Sequence, residues 1–259
     1  MNEAAHPVFA DSELSDDAFL SGRLRLWQPV KGYRAATDPV LLAAACLSAP
    51  GQSVLDLGCG AGAAVLCLGA RVPGLTLLGL ELQPAYADLA RRNAARNGIA
   101  LTVTEGDLAA MPGALRRGFD HVIANPPYFP RSGTPSPRAD RDTALRAETP
   151  LEVWVQAAAQ RLHPGGWLTL ICGTDKLPAV LGALGPRLGS AVVLPLAARQ
   201  DRPALRIILR ARKGGRAAFR LLAPFVLHDG TAHDGDRDTH TAAASGVLRE
   251  GQALTAAFR

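Results

Sequence analysis

The stretch Ser53-Val54-Leu55-Asp56-Leu57-Gly58-Cys59-Gly60-Ala61-Gly62 constrains this chain more than any other. Val54, Leu55 and Leu57 make the short apolar run of a buried strand, and Gly58, Gly60 and Gly62 follow at alternate positions. Glycines so spaced let the backbone turn tightly and bring its N–H groups against a ligand with no side chain between them. The run Ala63 to Ala70 then reads as a helix. Strand, glycine loop and helix together form the opening unit of an open α/β sheet, with the loop at the carboxyl end of the strand, where such sheets bind ligands.

The rest of the chain alternates in the same way. Strands are predicted at Val54 to Leu57, Leu75 to Leu80, Leu101 to Thr104, His121 to Ala124, Trp167 to Cys172, Ala191 to Leu196 and Leu205 to Ala211. Helices are predicted at Val40 to Leu47, Ala63 to Ala70, Pro84 to Asn97, Leu151 to Arg161 and Lys176 to Leu184. This rhythm implies a mostly parallel sheet with helices on both faces. Thr37 or Asp38 can cap the first helix with Pro39 at its first position, Asn97-Gly98 stops the third, and His163-Pro164-Gly165-Gly166 turns into the fifth strand.

With 259 residues, 48% of them apolar, and no repeat or linker, one domain over 19–259 is expected, preceded by a mobile tail over 1–18. That domain opens with a hairpin from Phe19 to Trp27, turning at Ser21-Gly22, and a polar loop from Gln28 to Pro39. Pro130 to Thr149 is a long Pro- and Arg-rich loop, and loops of that length in compact domains tend to be functional or disordered.

The formal charge of +5 favours an anionic partner only mildly, since a strong nucleic-acid binder usually carries a concentrated stripe. Arg131, Arg138, Arg141 and Arg146 on the long loop, and the late cluster Arg199, Arg202, Arg206, Arg210, Arg212, Lys213 and Arg216, read either as phosphate contacts or as a solvated basic surface. Cys46, Cys59, Cys67 and Cys172 have no C-x-x-C spacing and suit a reducing cytoplasm. Met1 to Leu20 carries neither the basic nor the apolar region of a secretory signal, and the best uncharged run is broken by Pro50-Gly51, so no membrane association is expected. His228, Asp229, His233, Asp234, Asp236, Asp238 and His240 fit neither zinc spacing nor a calcium loop. They read as a flexible acidic loop, and no metal is expected.

Two cofactor classes fit the glycine loop. Gly58 to Ala63 satisfies the dinucleotide pattern G-x-G-x-x-A, and Glu81, about twenty residues on, can accept from ribose hydroxyls of either class. Asp56, placed directly before the glycines, would repel a pyrophosphate but attract the ammonium and sulfonium of S-adenosylmethionine. Asp107, at the end of the third strand, can accept from an adenine amine.

At the end of the fourth strand stands Asn125-Pro126-Pro127-Tyr128-Phe129. A conjugated amino nitrogen is a poor nucleophile until its N–H groups are held and its lone pair aimed. The side-chain oxygen of Asn125 and the carbonyl of Pro126 can accept both N–H groups, the prolines stiffen the turn, Tyr128 can stack on a ring, and Phe129 can line the pocket.

With this motif the chain resembles the class I S-adenosylmethionine-dependent methyltransferases that carry Asn-Pro-Pro-Tyr. Gln28-Pro29, Gly32-Tyr33-Arg34, Thr37-Asp38, Val40-Leu41-Leu42, Ala144 to Glu148 and Arg206 to Gly214 extend the resemblance to the bacterial tRNA(1)(Val) adenine-N6 methyltransferase family. The chain departs from it at Ala147, where the family often has His. The resemblance implies a Rossmann-like, seven-stranded, mostly parallel sheet whose last strand is antiparallel. It also implies S-adenosylmethionine as cofactor and an adenine of tRNA as acceptor. Asp56, Gly58, Cys59, Gly60, Glu81, Leu82 and Asp107 would hold the cofactor, with Arg34, Thr37 and Asp38 closing over its methionine end. Asn125, Pro126, Pro127 and Tyr128 would be catalytic, with Tyr128, Phe129, Arg131 and Arg146 meeting the nucleic acid. A protein glutamine, DNA or a small-molecule nitrogen remains open as acceptor, as does a non-catalytic binder on the same fold.

Overall fold

The computed structural model describes residues 8–127, 149–230 and 239–258. It begins with β1 (Leu14–Phe19) and β2 (Leu24–Pro29), antiparallel, with Leu14 opposite Pro29 and Phe19 opposite Leu24. The hairpin is therefore longer than expected, because Leu14 to Ala18, assigned above to a mobile tail, are paired strand. Their polarity is matched by partners distant in sequence: Asp16 holds Arg25 at 2.9 Å and Arg96 at 2.7 Å, and Asp17 holds Arg34 at 2.8 Å.

There follow α1 (Asp38–Ala45), β3 (Ser53–Leu57), α2 (Ala63–Arg71), β4 (Thr76–Glu81), α3 (Pro84–Arg96), β5 (Leu101–Glu105) and β6 (Phe119–Ala124). After residue 149 come α4 (Leu151–Arg161), β7 (Leu162–Gly173), α5 (Leu177–Ala183), β8 (Leu188–Arg199), β9 (Arg206–Lys213), β10 (Arg220–Leu221), β11 (Phe225–His228) and α6 (Ala242–Leu248). The apolar runs became strands and the periodic segments helices, as expected. The stretch from His163 to Gly166 is not a free turn, however. It bulges within β7, where Leu162 pairs with Phe119 and Trp167 with His121.

Among the described residues the main sheet has nine strands in the order β10-β8-β9-β7-β6-β3-β4-β5, with β11 also paired to β8. β5, β4, β3, β6 and β7 run parallel, and β9 lies antiparallel between β7 and β8. Seven strands match the expected plan, antiparallel member included. The other two, β10 and β11, come from the apolar run after Arg216 and pair with β8, covering what would be an open edge.

Two apolar layers sandwich the sheet. One packs α1, α2 and α6 over Val54, Ile123, Ile171 and Ile208; the other packs α4 and Val180 of α5 over Leu55, Leu57, Val122 and Leu168. Consecutive strand residues thus serve opposite cores, so the parallel strands are apolar nearly throughout. That continuity makes a polar residue at a strand end conspicuous.

Candidate active site

The order β6-β3-β4-β5 sets four strand ends side by side. Leu57 is level with Leu80 on β4 and with Ala124 on β6, and Glu81 is level with Glu105 on β5. The glycine loop, Glu81, Asp107 and Asn125 therefore emerge from neighbouring strands at one edge of the sheet.

Asp56 is the most constrained of these residues. It is 1% exposed, and its Oδ2 has no hydrogen-bond partner among the described residues. Burial pushes its pKa well above the usual 3.8, the Glu81 carboxylate pushes it further, and the Val65 backbone N–H opposes them. Glu81, 2% exposed, accepts the Gly60 N–H through Oε2 at 2.8 Å and the Gln83 N–H through Oε1 at 2.9 Å. It shapes both loops at the site.

The glycines divide the work. At Gly58, φ is +65° and an added Cβ would lie 2.5 Å from the Trp154 ring of α4, so this glycine admits a core side chain. At Gly60, φ is +57° and an added Cβ would meet nothing within 4 Å. Gly60 therefore faces open space. The Cys59 thiol is buried against Gly79, where an added Cβ would lie 2.7 Å from its sulfur, while the Cys59 N–H donates to the Leu80 carbonyl at 2.9 Å. Leu82 is 37% exposed just beyond Glu81. Asp107 caps the short 3-10 turn Leu108–Ala110, accepting the Ala109 N–H at 2.8 Å.

Asn125 follows β6. Its Nδ2 donates to the Tyr33 hydroxyl at 3.3 Å, while its Oδ1 is buried with no partner among the described residues. Pro126 is buried and Pro127 partly so. Tyr128, Phe129, Arg131 and Arg146 lie outside the described residues, as do Arg138 and Arg141.

The 34–38 loop is organised differently from a simple cover. Arg34 is committed to the hairpin, donating to Asp17 and to the Ser15 hydroxyl at 2.8 Å each. Asp38 pairs with Arg206 of β9 at 3.2 Å, and Thr37 stands before α1 without a side-chain capping bond. Behind this loop a cleft of about 510 Å³ opens between the hairpin, α1 and α6, lined by Phe19, Gln28, Arg34, Val40 and Leu248. The late basic residues are also engaged inside the fold. Arg212 donates to the Gly165 carbonyl at 3.0 Å, Lys213 to that of Leu162 at 2.6 Å, and Arg210 is buried over Trp167 and Phe258.

Residues 38–181 match the methyltransferase small domain family. The chain belongs to that family. It is a class I S-adenosylmethionine-dependent methyltransferase. Among its relatives is a tRNA1(Val) (adenine(37)-N6)-methyltransferase of Porphyromonas gingivalis, 35% identical over 173 residues, which cover 62% of this chain and 67% of that protein. A release factor glutamine methyltransferase of Geobacter sulfurreducens is 34% identical over 139 residues, covering 50% of this chain and 48% of that one. The methyltransferase thus spans about half the length of the Geobacter relative. A predicted O-methyltransferase from Agrobacterium tumefaciens has a solved structure that superposes with a TM-score of 0.67 at 26% identity, covering 83% of this chain and 97% of the other.

The site fits this cofactor on its own chemistry. Two buried carboxylates on adjacent strands, one with an oxygen that has no partner among the described residues, are stabilised by a cationic ligand and would be further strained by an anionic one. An added Cβ at Gly60 would meet nothing within 4 Å, so there is room beside the loop for a ligand.

Several residues that build the site are missing from the sequence-based list. Asn93 of α3 is fully buried; its Oδ1 accepts the Trp27 N–H at 2.8 Å, and its Nδ2 donates to the carbonyls of Trp27 and Ala61 at 3.0 Å each. It ties the hairpin to the glycine loop. Its signal was present in the sequence: Asn93 occupies the apolar stripe of Tyr86, Leu89 and Ala90 at helical spacing, a polar residue where the period demands a buried one. Trp154 and Tyr33 left no such local mark.

Proposed function

We propose that this methyltransferase transfers a methyl group to the exocyclic N6 of an adenine in tRNA, in the cytoplasm. The observation that carries the reading is the buried Oδ1 of Asn125, without a partner among the described residues, at the strand end beside the glycine loop. S-adenosylmethionine supplies an electrophilic methyl group on a cationic sulfur. Asp56 favours the positive charge, Glu81 takes the ribose hydroxyls, and Asp107 takes the adenine amine of the cofactor. Asn125 Oδ1 accepts one N–H of the acceptor amine and the Pro126 carbonyl the other. That holds the nitrogen with its lone pair out of conjugation, and the proton released on N-methylation passes to solvent. Tyr128 and Phe129 serve the base and Arg131 and Arg146 the phosphates, so affinity falls as salt rises. The Porphyromonas relative supports tRNA as acceptor.

A second reading rests on the Geobacter relative: a glutamine carboxamide is also a conjugated NH2 group that the same two acceptors can hold. Labelled S-adenosylmethionine incubated with the protein, total tRNA from a strain lacking the gene and the matching protein extract separates the two. N6-methyladenosine in digested tRNA is the expected product. Label confined to protein would replace tRNA with a glutamine acceptor.

A further inference from the structure

Asn125 is useful as an acceptor only if its carboxamide presents oxygen rather than NH2, and the two ends of that group are nearly the same size. Whatever holds the amide end decides which way it faces. The Asn125 Nδ2 donates to the hydroxyl of Tyr33, 3.3 Å away. Tyr33 is itself held rigidly, since its backbone N–H donates to the Tyr86 hydroxyl at 3.1 Å and its carbonyl accepts from the same hydroxyl at 3.3 Å. Tyr86 is 5% exposed on α3 and packs edge-on against Phe9, with ring centroids 5.2 Å apart. On the other side Gln28, 2% exposed, accepts the Ala35 N–H at 2.6 Å and donates to the Ala35 carbonyl at 3.1 Å. The loop that carries Tyr33 is thus fixed on both flanks, while Tyr33 as a residue remains 40% exposed.

We propose that Tyr33 is the positioning residue for Asn125: its hydroxyl captures Nδ2 and thereby turns Oδ1 toward the acceptor nitrogen, with Tyr86 holding Tyr33 in place. The inference rests on Asn125 as the acceptor of the substrate N–H. A reversed carboxamide would set NH2 against NH2, a donor against a donor, so orientation bears on kcat rather than on cofactor affinity.

Tyr33→Phe removes only the hydroxyl. It should lower kcat about tenfold while leaving KM for S-adenosylmethionine unchanged, and Tyr86→Phe should act in the same direction. The decisive comparison uses Asn125→Asp, whose carboxylate presents oxygen whichever way it rotates. In that background Tyr33→Phe should change kcat by less than about twofold. Equal losses in both backgrounds, or no loss in either, overturn the proposal. A second arm needs no substrate. In protein labelled with 15N-asparagine, the Asn125 side-chain NH2 signal, assigned by its disappearance in Asn125→Asp, should exchange with water faster in Tyr33→Phe; unchanged exchange also overturns the proposal. The kinetics are measured on whichever acceptor, tRNA or protein, takes up label. Failure of tRNA as acceptor therefore registers separately from failure of Tyr33 as anchor.

Discussion

The carboxylate of Glu81 accepts the N–H of Gly60 at 2.8 Å, so the residue expected to bind the cofactor first builds the loop that receives it. Its other oxygen accepts the Gln83 N–H. Glu81→Gln keeps the shape but offers one oxygen and one NH2, leaving either the Gly60 or the Gln83 amide facing a donor. Loss of such a bond to a charged acceptor costs about 1.5–3 kcal/mol, partly offset by relief of the repulsion with Asp56. Cofactor affinity measured by calorimetry should drop about tenfold to a hundredfold, with a smaller change in melting temperature. Unchanged affinity would mean that other contacts shape the loop.

Asp56 sets stability against binding. Its pKa is raised in the fold, so the native state holds the proton more tightly than the unfolded chain does. The ligand-free protein is therefore favoured below the usual 3.8 and loses this contribution as pH rises through the elevated value. Asp56→Asn should abolish that slope and stabilise the ligand-free protein at neutral pH. It should also weaken binding of the cationic cofactor by about tenfold or more. Denaturant midpoints across pH, with and without cofactor, test both halves; a destabilised Asn variant at neutral pH would contradict the first.

Gly58 and Gly60 should fail in different ways when a methyl group is added. Both have positive φ, which costs alanine about 1 kcal/mol. At Gly58 the new carbon would also lie 2.5 Å from Trp154, so Gly58→Ala must displace a core ring and should lose about 3 kcal/mol or more. At Gly60 the new carbon has open space, so Gly60→Ala should fold with little further loss yet impair cofactor binding. Equal melting temperatures for the two variants would refute this division.

Asp56 and Glu81 show what was legible in the sequence. Strands such as Leu77 to Leu80 are buried on both faces, so each reads as an unbroken apolar run, and Asp56 and Glu81 stand out as charges at or near the ends of such runs. Position along a strand is local information. Partnership across the fold is not. Asp16 and Asp17 looked like tail residues because their arginine partners lie up to 80 positions away, and Arg34 looked available to the cofactor because Asp17, its partner, sits in that supposed tail. Nothing local marks Tyr33 as the neighbour of Asn125, 92 residues on. The two added strands, β10 and β11, are short and paired to a single neighbour, too brief for periodicity to announce them.

Further back along β6, the buried His121 makes a contribution to stability that fades in acid. It is 3% exposed, its Nε2 lies 3.1 Å from the Gln52 carboxamide oxygen, and burial lowers its pKa from 6.5 to about 4. The nearby charges of Arg210 and Arg71 push the same way, and Asp120 opposes them. Between pH 6.5 and about 4 the unfolded chain takes up a proton that the folded chain refuses. The stability from neutral His121 is thus complete above 6.5 and drains away as pH falls toward 4, by up to about 3 kcal/mol. His121→Gln can keep a polar contact with Gln52 without titrating, and should flatten the stability curve across that window. Asp120, whose pKa is lowered by the Ser53 N–H, loses its contribution only below the usual 3.8, so its signature falls at lower pH. Urea midpoints from pH 4 to 8 decide the matter; an unchanged acid slope in His121→Gln would assign the loss to other groups.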